Sequence, residues 1–187
     1  MMKKFVMLVM LMLALSGVAG AAASDKGTVA VIPYFNSTEE TKSYIGETVD
    51  EGYTNYFVKA GFGVVSQGAV KSAMLKAGYD TADQMLPEKE VMAKIAQETG
   101  ADYVVAMELA GLQSTRHEAY FSTKVTTRCK LKYHFYNSKE NKLIPFQTTA
   151  TNNNKAVMIG MRSYKSSMIA ALREAMDKGQ DKIAELL

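Results

Sequence analysis

The chain is poor in the residues that carry most covalent and metal chemistry. Among 187 residues there is one cysteine, Cys129, and two histidines, His117 and His134. A lone thiol cannot close an internal disulfide, so an exported domain made from this sequence must be held by its apolar core. Two distant histidines without a cysteine pair make a poor metal site. Cys129 and His134 lie five apart on one expected strand, so their side chains point to opposite faces and cannot act as nucleophile and base. There is no Gly-x-Ser-x-Gly elbow and no phosphate loop; Gly61-Phe62-Gly63 is a helix stop leading into a strand. No catalytic set and no cofactor site emerge, and the expectation is a protein that is not an enzyme. An unfamiliar carboxylate site is the remaining enzymatic alternative.

Strong charge of one sign is also missing. The whole chain has 22 basic and 19 acidic residues, a formal net charge of +3. Two of the basic residues, Lys3 and Lys4, precede an apolar run over residues 5–15 and a small-residue stretch ending Ala21-Ala22-Ala23. That is the layout of a secretory signal peptide over residues 1–23, with cleavage between Ala23 and Ser24. Its apolar core is shorter than the ~20 residues a spanning helix needs. Without Lys3 and Lys4 the 22 basic residues become 20 against 19 acidic, a net charge of +1, which argues against nucleic acid as a partner. No cysteine follows the apolar run, so no lipid anchor is expected, and no second long apolar stretch exists. Residues 24–187 read as one α/β domain with a core of its own.

Residues 28–36, Thr-Val-Ala-Val-Ile-Pro-Tyr-Phe-Asn, read as a buried first strand closed by proline. Ser37 and Glu40 form a candidate capping box, which also accounts for the glycosylation-like triplet at Asn36. Apolar positions at Ile45, Val49, Tyr53, Tyr56, Phe57 and Ala60 give an amphipathic helix stopped by Gly61. A second strand is expected over 62–66. Ser66 then caps a helix carrying Val70, Ala73, Met74 and Ala77, and Pro87 with Glu88 opens another through Val91, Ile95 and Ala96 to Gly100. Residues 101–107 return to a buried strand. Strands and helices alternating at these lengths predict a partly parallel sheet with helices packed on it.

The pattern changes at residue 108. Thr115-Arg116-His117-Glu118 looks turn-like, and from 121 to 136 apolar and polar residues alternate. Thr123, Val125, Thr127, Cys129, Leu131, Tyr133 and Phe135 share one face; Lys124, Arg128, Lys130, Lys132 and His134 share the other. Sixteen residues at ~3.3 Å each exceed an ordinary strand, so a bend or bulge is expected near Lys124 or Thr126-Thr127. Residues 137–142 read as a turn and 143–152 as the return strand of a hairpin. Asn152-Asn153-Asn154 reads as a loop, and Ser163 as the start of a terminal helix with Ile169, Leu172, Ala175, Met176, Ile183 and Leu186 on one face and Gly179 as its soft point. The order is βαβααβ, then a β-hairpin and a C-terminal helix. Lys124, Arg128, Lys130, Lys132 and His134 are the candidate partner-binding face, to be weighed against an ordinary solvated sheet face whose lysines guard an edge.

Val-Ala-Val-Ile-Pro-Tyr-Phe-Asn at 29–36, Ala60-Gly61, the 62–66 strand, and Ile95-Ala96-x-x-Thr99-Gly100-Ala101-Asp102-Tyr103-Val104-Val105 together resemble the TolB amino-terminal-domain, CsgG and LpoB group of bacterial envelope proteins. The resemblance implies an α/β sandwich in a double-membraned envelope, a protein partner, and no catalysis. The expected function is an adaptor or assembly factor in the periplasm. The alternatives are a homo-oligomeric subunit of a CsgG-like secretion or outer-membrane complex, peripheral contact with membrane or cell wall, and full secretion. A CsgG-like pore would need two hairpins per subunit, and only residues 121–152 are expected to supply one.

Overall fold

The structure, a computed structural model, describes residues 26–80, 85–119, 122–156 and 164–187. The leader at 1–23, Ser163 and the stretch 157–161 lie outside these residues, as does part of 79–86. The strands are β1 (Thr28–Val31), β2 (Phe35–Asn36), β3 (Gly63–Val64), β4 (Tyr103–Ala119), β5 (Ser122–Asn137) and β6 (Lys142–Ala156). The helices are α1 (Ser43–Val49) and α2 (Asn55–Lys59), joined through a π-helical turn at Asp50–Thr54, then α3 (Gln67–Lys76), α4 (Lys89–Thr99) and α5 (Tyr164–Glu185).

The six strands make one mixed sheet in the order β3-β1-β4-β5-β6, with β2 also on β4. β1 is parallel to β3 and β4, whereas β4, β5 and β6 form an antiparallel meander. Because β1 is covered on both faces, it reads as an unbroken apolar run. Val29 and Val31 enter one core with Ile45, Phe57, Leu172 and Met176; Ala30 and Ile32 enter a second with Val70, Met74, Met92 and Ile95. The α1–α2 unit and α5 therefore pack on one face, and α3 and α4 on the other. This is the expected single α/β domain. Among the described residues no helix is long and apolar enough to cross a membrane.

Ile45, Val49, Tyr53 and Phe57 are spaced by four, so their direction would drift by ~120° over a uniform α-helix. The π-helical turn at Asp50–Thr54 unwinds the helix where that drift accumulates, and all four side chains stay buried in one core.

Several local expectations are corrected. The first strand is split: β1 ends at Val31, Ile32 N–H still donates to the Val105 carbonyl at 2.9 Å, and Pro33 intervenes before β2 rejoins β4 at Glu108 and Leu109. Ser37 and Glu40 do not cap a helix, since α1 starts at Ser43 after Lys42. Asn36 organises that loop instead, its Oδ1 accepting from Thr38 N–H at 3.0 Å and its Nδ2 donating to the Glu40 carbonyl at 2.8 Å. Pro87 sits just outside α4, whose N-cap is Glu88. Ser66 caps α3 as expected, and Gly100 ends α4 in the left-handed region at φ 67°.

The largest correction concerns residues 108–119. They are not a turn-rich connection but the second half of β4, paired with β5 through Ala119. The irregularity lies in β4 rather than β5: Leu109 faces Leu131 and Gly111 faces Lys130, leaving Ala110 as an extra residue. Leu109 and Leu112 are three apart, so only such an insertion sends both inward. Asn152-Asn153-Asn154 likewise belongs to β6 rather than a loop. The meander thus contains two hairpins that share β5, not one.

Candidate functional site

Alternate residues of β5 point toward the α3–α4 side of the sheet, and their surroundings change along the strand. Tyr136 is buried in the second core with Val104. His134 comes next, half-buried, with Nδ1–H donating to the Pro87 carbonyl at 2.8 Å; a carbonyl only accepts, which fixes the proton on Nδ1. Lys132 lies beside Glu108, Nζ to carboxylate oxygen 3.2 Å. The expected five-residue face is therefore divided. His134 belongs to the seam under the connection into α4, and Lys132 is neutralised by a neighbouring strand.

Beyond this seam α3 and α4 leave the sheet uncovered. Lys130, Arg128 and Lys124 follow, all exposed, flanked by Gln113, Thr115 and His117 of β4 and by Thr149, Thr151 and Asn153 of β6. Among the described residues no acidic group lies within ion-pair distance of these three cations. Lys124, Arg128, His117, Gln113, Thr115, Thr126, Thr151 and Asn153 line a shallow depression of about 500 Å³. His117, expected to be solvated in a turn, faces Lys124 across the β4–β5 ladder and belongs to this wall. The odd spacing of Leu109 and Leu112 was the signal that could have found it: once a bulge is placed between them, Gln113, Thr115 and His117 alternate outward.

The opposite side of the same strands holds the face in place. Thr127 is fully buried and links Ser114 (2.6 Å) and Ser167 of α5 (2.8 Å), and Ser167 reaches Asn152 of β6 at 3.1 Å. This chain of hydroxyls pins the first turns of α5 to all three strands of the meander. Cys129 lies on that side as well, and burial pushes its thiol pKa up to about 12, keeping it protonated and unreactive. Arg116 and Glu118 also point that way and pair with each other at 2.7 Å.

The outward half-face thus offers cations, hydroxyls and amides on a rigid sheet, without aromatic or aliphatic anchors. Contacts made there would be polar, hydrated and weakened by salt. A second cleft of about 670 Å³ lies at the end of β1 beside Pro33, Phe35, Lys71, Met74 and Asp80. Lys71 and Asp80 are of opposite sign, so that cleft lacks the one-signed field of the meander. Among the described residues no three His, Cys, Asp or Glu side chains are grouped to hold a metal ion.

No protein-family model matches the sequence, and no curated protein matches it. Among solved structures the chain is similar to protein CT253 from Chlamydia trachomatis, with a TM-score of 0.54 and 14% identity over 84% of this chain and 95% of that one. It is also similar to lipoprotein GNA1162 from Neisseria meningitidis, TM-score 0.48 and 16% identity, over 84% of this chain and 98% of that one. The C-terminal domain of LpoB from Escherichia coli matches with a TM-score of 0.39 and 17% identity, over 76% of this chain and 92% of that one. LpoB, part of the sequence resemblance, is thus among the structural neighbours, and at these identities what the chain has in common with CT253 is its fold.

Proposed function

We propose that this chain is a non-enzymatic protein of the bacterial cell envelope that acts as an adaptor or assembly factor, binding an acidic surface of a protein partner. The observation that carries the reading is the uncovered half of the meander, where Lys124, Arg128 and Lys130 have no acidic partner among the described residues, on a sheet braced from behind by α5. Cations held in one direction by a rigid support attract an acidic partner and fix its orientation more than they add affinity. The leader-like residues 1–23 and the resemblance to envelope proteins support the compartment. A lipid-facing role for the meander fits less well: Lys124 and Arg128 on one side and Arg116 and Glu118 on the other leave no apolar band over this part of the strands.

The test is charge reversal at two positions, Arg128→Glu with Lys130→Glu, followed by cross-linking and capture of partners in the envelope. Binding is expected to fall at least tenfold, with an unchanged circular dichroism spectrum, and wild-type binding is expected to weaken as salt is raised. Retention of every envelope partner by the doubly reversed chain would overturn the reading.

A further inference from the structure

The sheet ends in a long strand, β6, that no other strand covers on its outer side among the described residues. Which of its backbone groups face outward follows from the ladder. Ile32 N–H donates to the Val105 carbonyl, so Val105 turns toward β1 and its neighbours Val104 and Ala106 turn toward β5. Their partners are Tyr136 and His134; the intervening Phe135 and every second residue from it, including Leu131 and Cys129, therefore turn toward β6. Those residues face Ile144, Thr148 and Ala150. Hence Gln147, Thr149, Thr151 and Asn153 direct their N–H and C=O groups away from the sheet. Two independent features agree: Pro145, which has no N–H to offer, falls in the same outward set, and the Thr149 carbonyl is reached from the side by Lys178 Nζ at 3.1 Å.

These four residues are symmetric about Ala150. We propose that two copies of this chain join edge to edge through β6, antiparallel, about a two-fold axis at Ala150. In that register Gln147 exchanges backbone hydrogen bonds with Asn153 of the second copy, and Thr149 with Thr151, so each outward N–H meets an outward C=O. On the outward face the facing side chains are amide with amide and hydroxyl with hydroxyl, pairs that stabilise antiparallel ladders. On the other face Ala150 meets Ala150 and Thr148 meets Asn152. Between Lys142 and Lys155 the strand has no charged residue, so no like charges of the two paired strands oppose one another across the axis. The distal edge of β4, by contrast, carries Arg116, His117 and Glu118. Lys178 does not block the arrangement, because a carbonyl oxygen has two lone pairs and Thr149 can accept from both donors. A two-fold axis perpendicular to the sheet leaves both outward half-faces on the same side, so the dimer presents Lys124, Arg128 and Lys130 twice to one partner surface.

The mass of the exported protein, measured by sedimentation across a range of concentrations, tests this. The wild-type chain is expected to pass from monomer to dimer, and Thr151→Pro, which removes one outward N–H and none from the β5–β6 ladder, is expected to weaken the dimer at least tenfold. Should that variant lose its circular dichroism spectrum, Thr151→Lys decides the question by placing like charges either side of the axis. In a Cys129→Ala background, needed because Cys129 faces Ala150 across the β5–β6 ladder, Ala150→Cys reads the register: it is expected to cross-link to itself under mild oxidation, whereas Gln147→Cys is not. A wild-type monomer at all concentrations, a dimer indifferent to both Thr151 variants, or a closed ring would overturn the proposal. Charge reversal at Arg128 and Lys130 must leave the dimer intact, which separates this inference from the partner-binding reading.

Discussion

A methyl group at position 179 would lie 2.6 Å from Cζ and Oη of Tyr133, inside van der Waals contact. Tyr133 cannot retreat, because its ring stacks on Phe146 with centroids 4.8 Å apart and is almost fully buried. Alanine would favour the helix by up to ~1 kcal/mol, but overpacking against a fixed ring costs ~1–3 kcal/mol. Gly179→Ala is therefore expected to destabilise the protein by ~1–2 kcal/mol in urea unfolding. Gly68→Ala in α3, where a methyl group meets nothing within 4 Å, should be neutral or stabilising by up to ~1 kcal/mol. From sequence Gly179 looked like a soft point, since nothing beside Lys178 and Gln180 announces a ring supplied by a distant strand. Lys132 and His134 were obscured in the same way. Their alternation on β5 was legible, but Glu108 and the Pro87 carbonyl reach them from elements far off in the chain.

At the scale of elements, the helical unit over 43–59 is tied to the sheet by one phenol. The Tyr53 hydroxyl lies 2.9 Å from the Val105 carbonyl and 3.1 Å from that of Ile32, sharing its proton between two strands, and burial raises its pKa well above the ordinary tyrosine value. Tyr53→Phe keeps the ring and removes the donor, and is expected to cost ~1–2 kcal/mol with no change in secondary structure, as read by chemical denaturation. The stripe containing Tyr53 was visible as an apolar period, and β5 as strict alternation. The second half of β4 was not, for two physical reasons. Its outward residues are polar because α3 and α4 do not extend over them, and Ala110 breaks the alternation where the strand would otherwise have declared itself. Three asparagines in β6 misled similarly, since side chains that favour loops are tolerated on a strand with an open edge. The candidate face was thus half legible: its β5 row could be read from the sequence, and its β4 and β6 walls could not.

For the molecule as a whole, acid stability should depend on a knot at one end of the sheet. Asp102 accepts from Thr28 N–H at 2.8 Å, lies 3.2 Å from Lys139 Nζ, and through its backbone carbonyl accepts from Ser138 N–H at 2.9 Å. The Thr28 hydrogen bond foremost, aided by Lys139 and opposed by partial burial, lowers its pKa from 3.8. A carboxyl lowered on folding binds more protons in the unfolded chain. It stabilises the fold above its unfolded value, and that contribution is lost as pH falls through the folded one. Asp102→Asn, which can still accept from Thr28, is expected to lower the melting temperature at neutral pH, and the difference from wild type should shrink on acidification below about pH 4. A gap that stays constant with pH would show that the charge contributes nothing.

The same view of the whole gives the bulge in β4 a meaning for changes in chain length. Ala110 occupies a position that the ladder on either side does not use, since Leu109 and Gly111 are already opposite adjacent residues of β5. A chain lacking Ala110 would still send Leu112 inward and Gln113, Thr115 and His117 outward. Loss of Gln113 alone would instead turn the remaining strand over, burying the histidine side and bringing Arg116 and Glu118 out. Loss of one codon is thus harmless at one point of this strand and inverts the surface a few residues on.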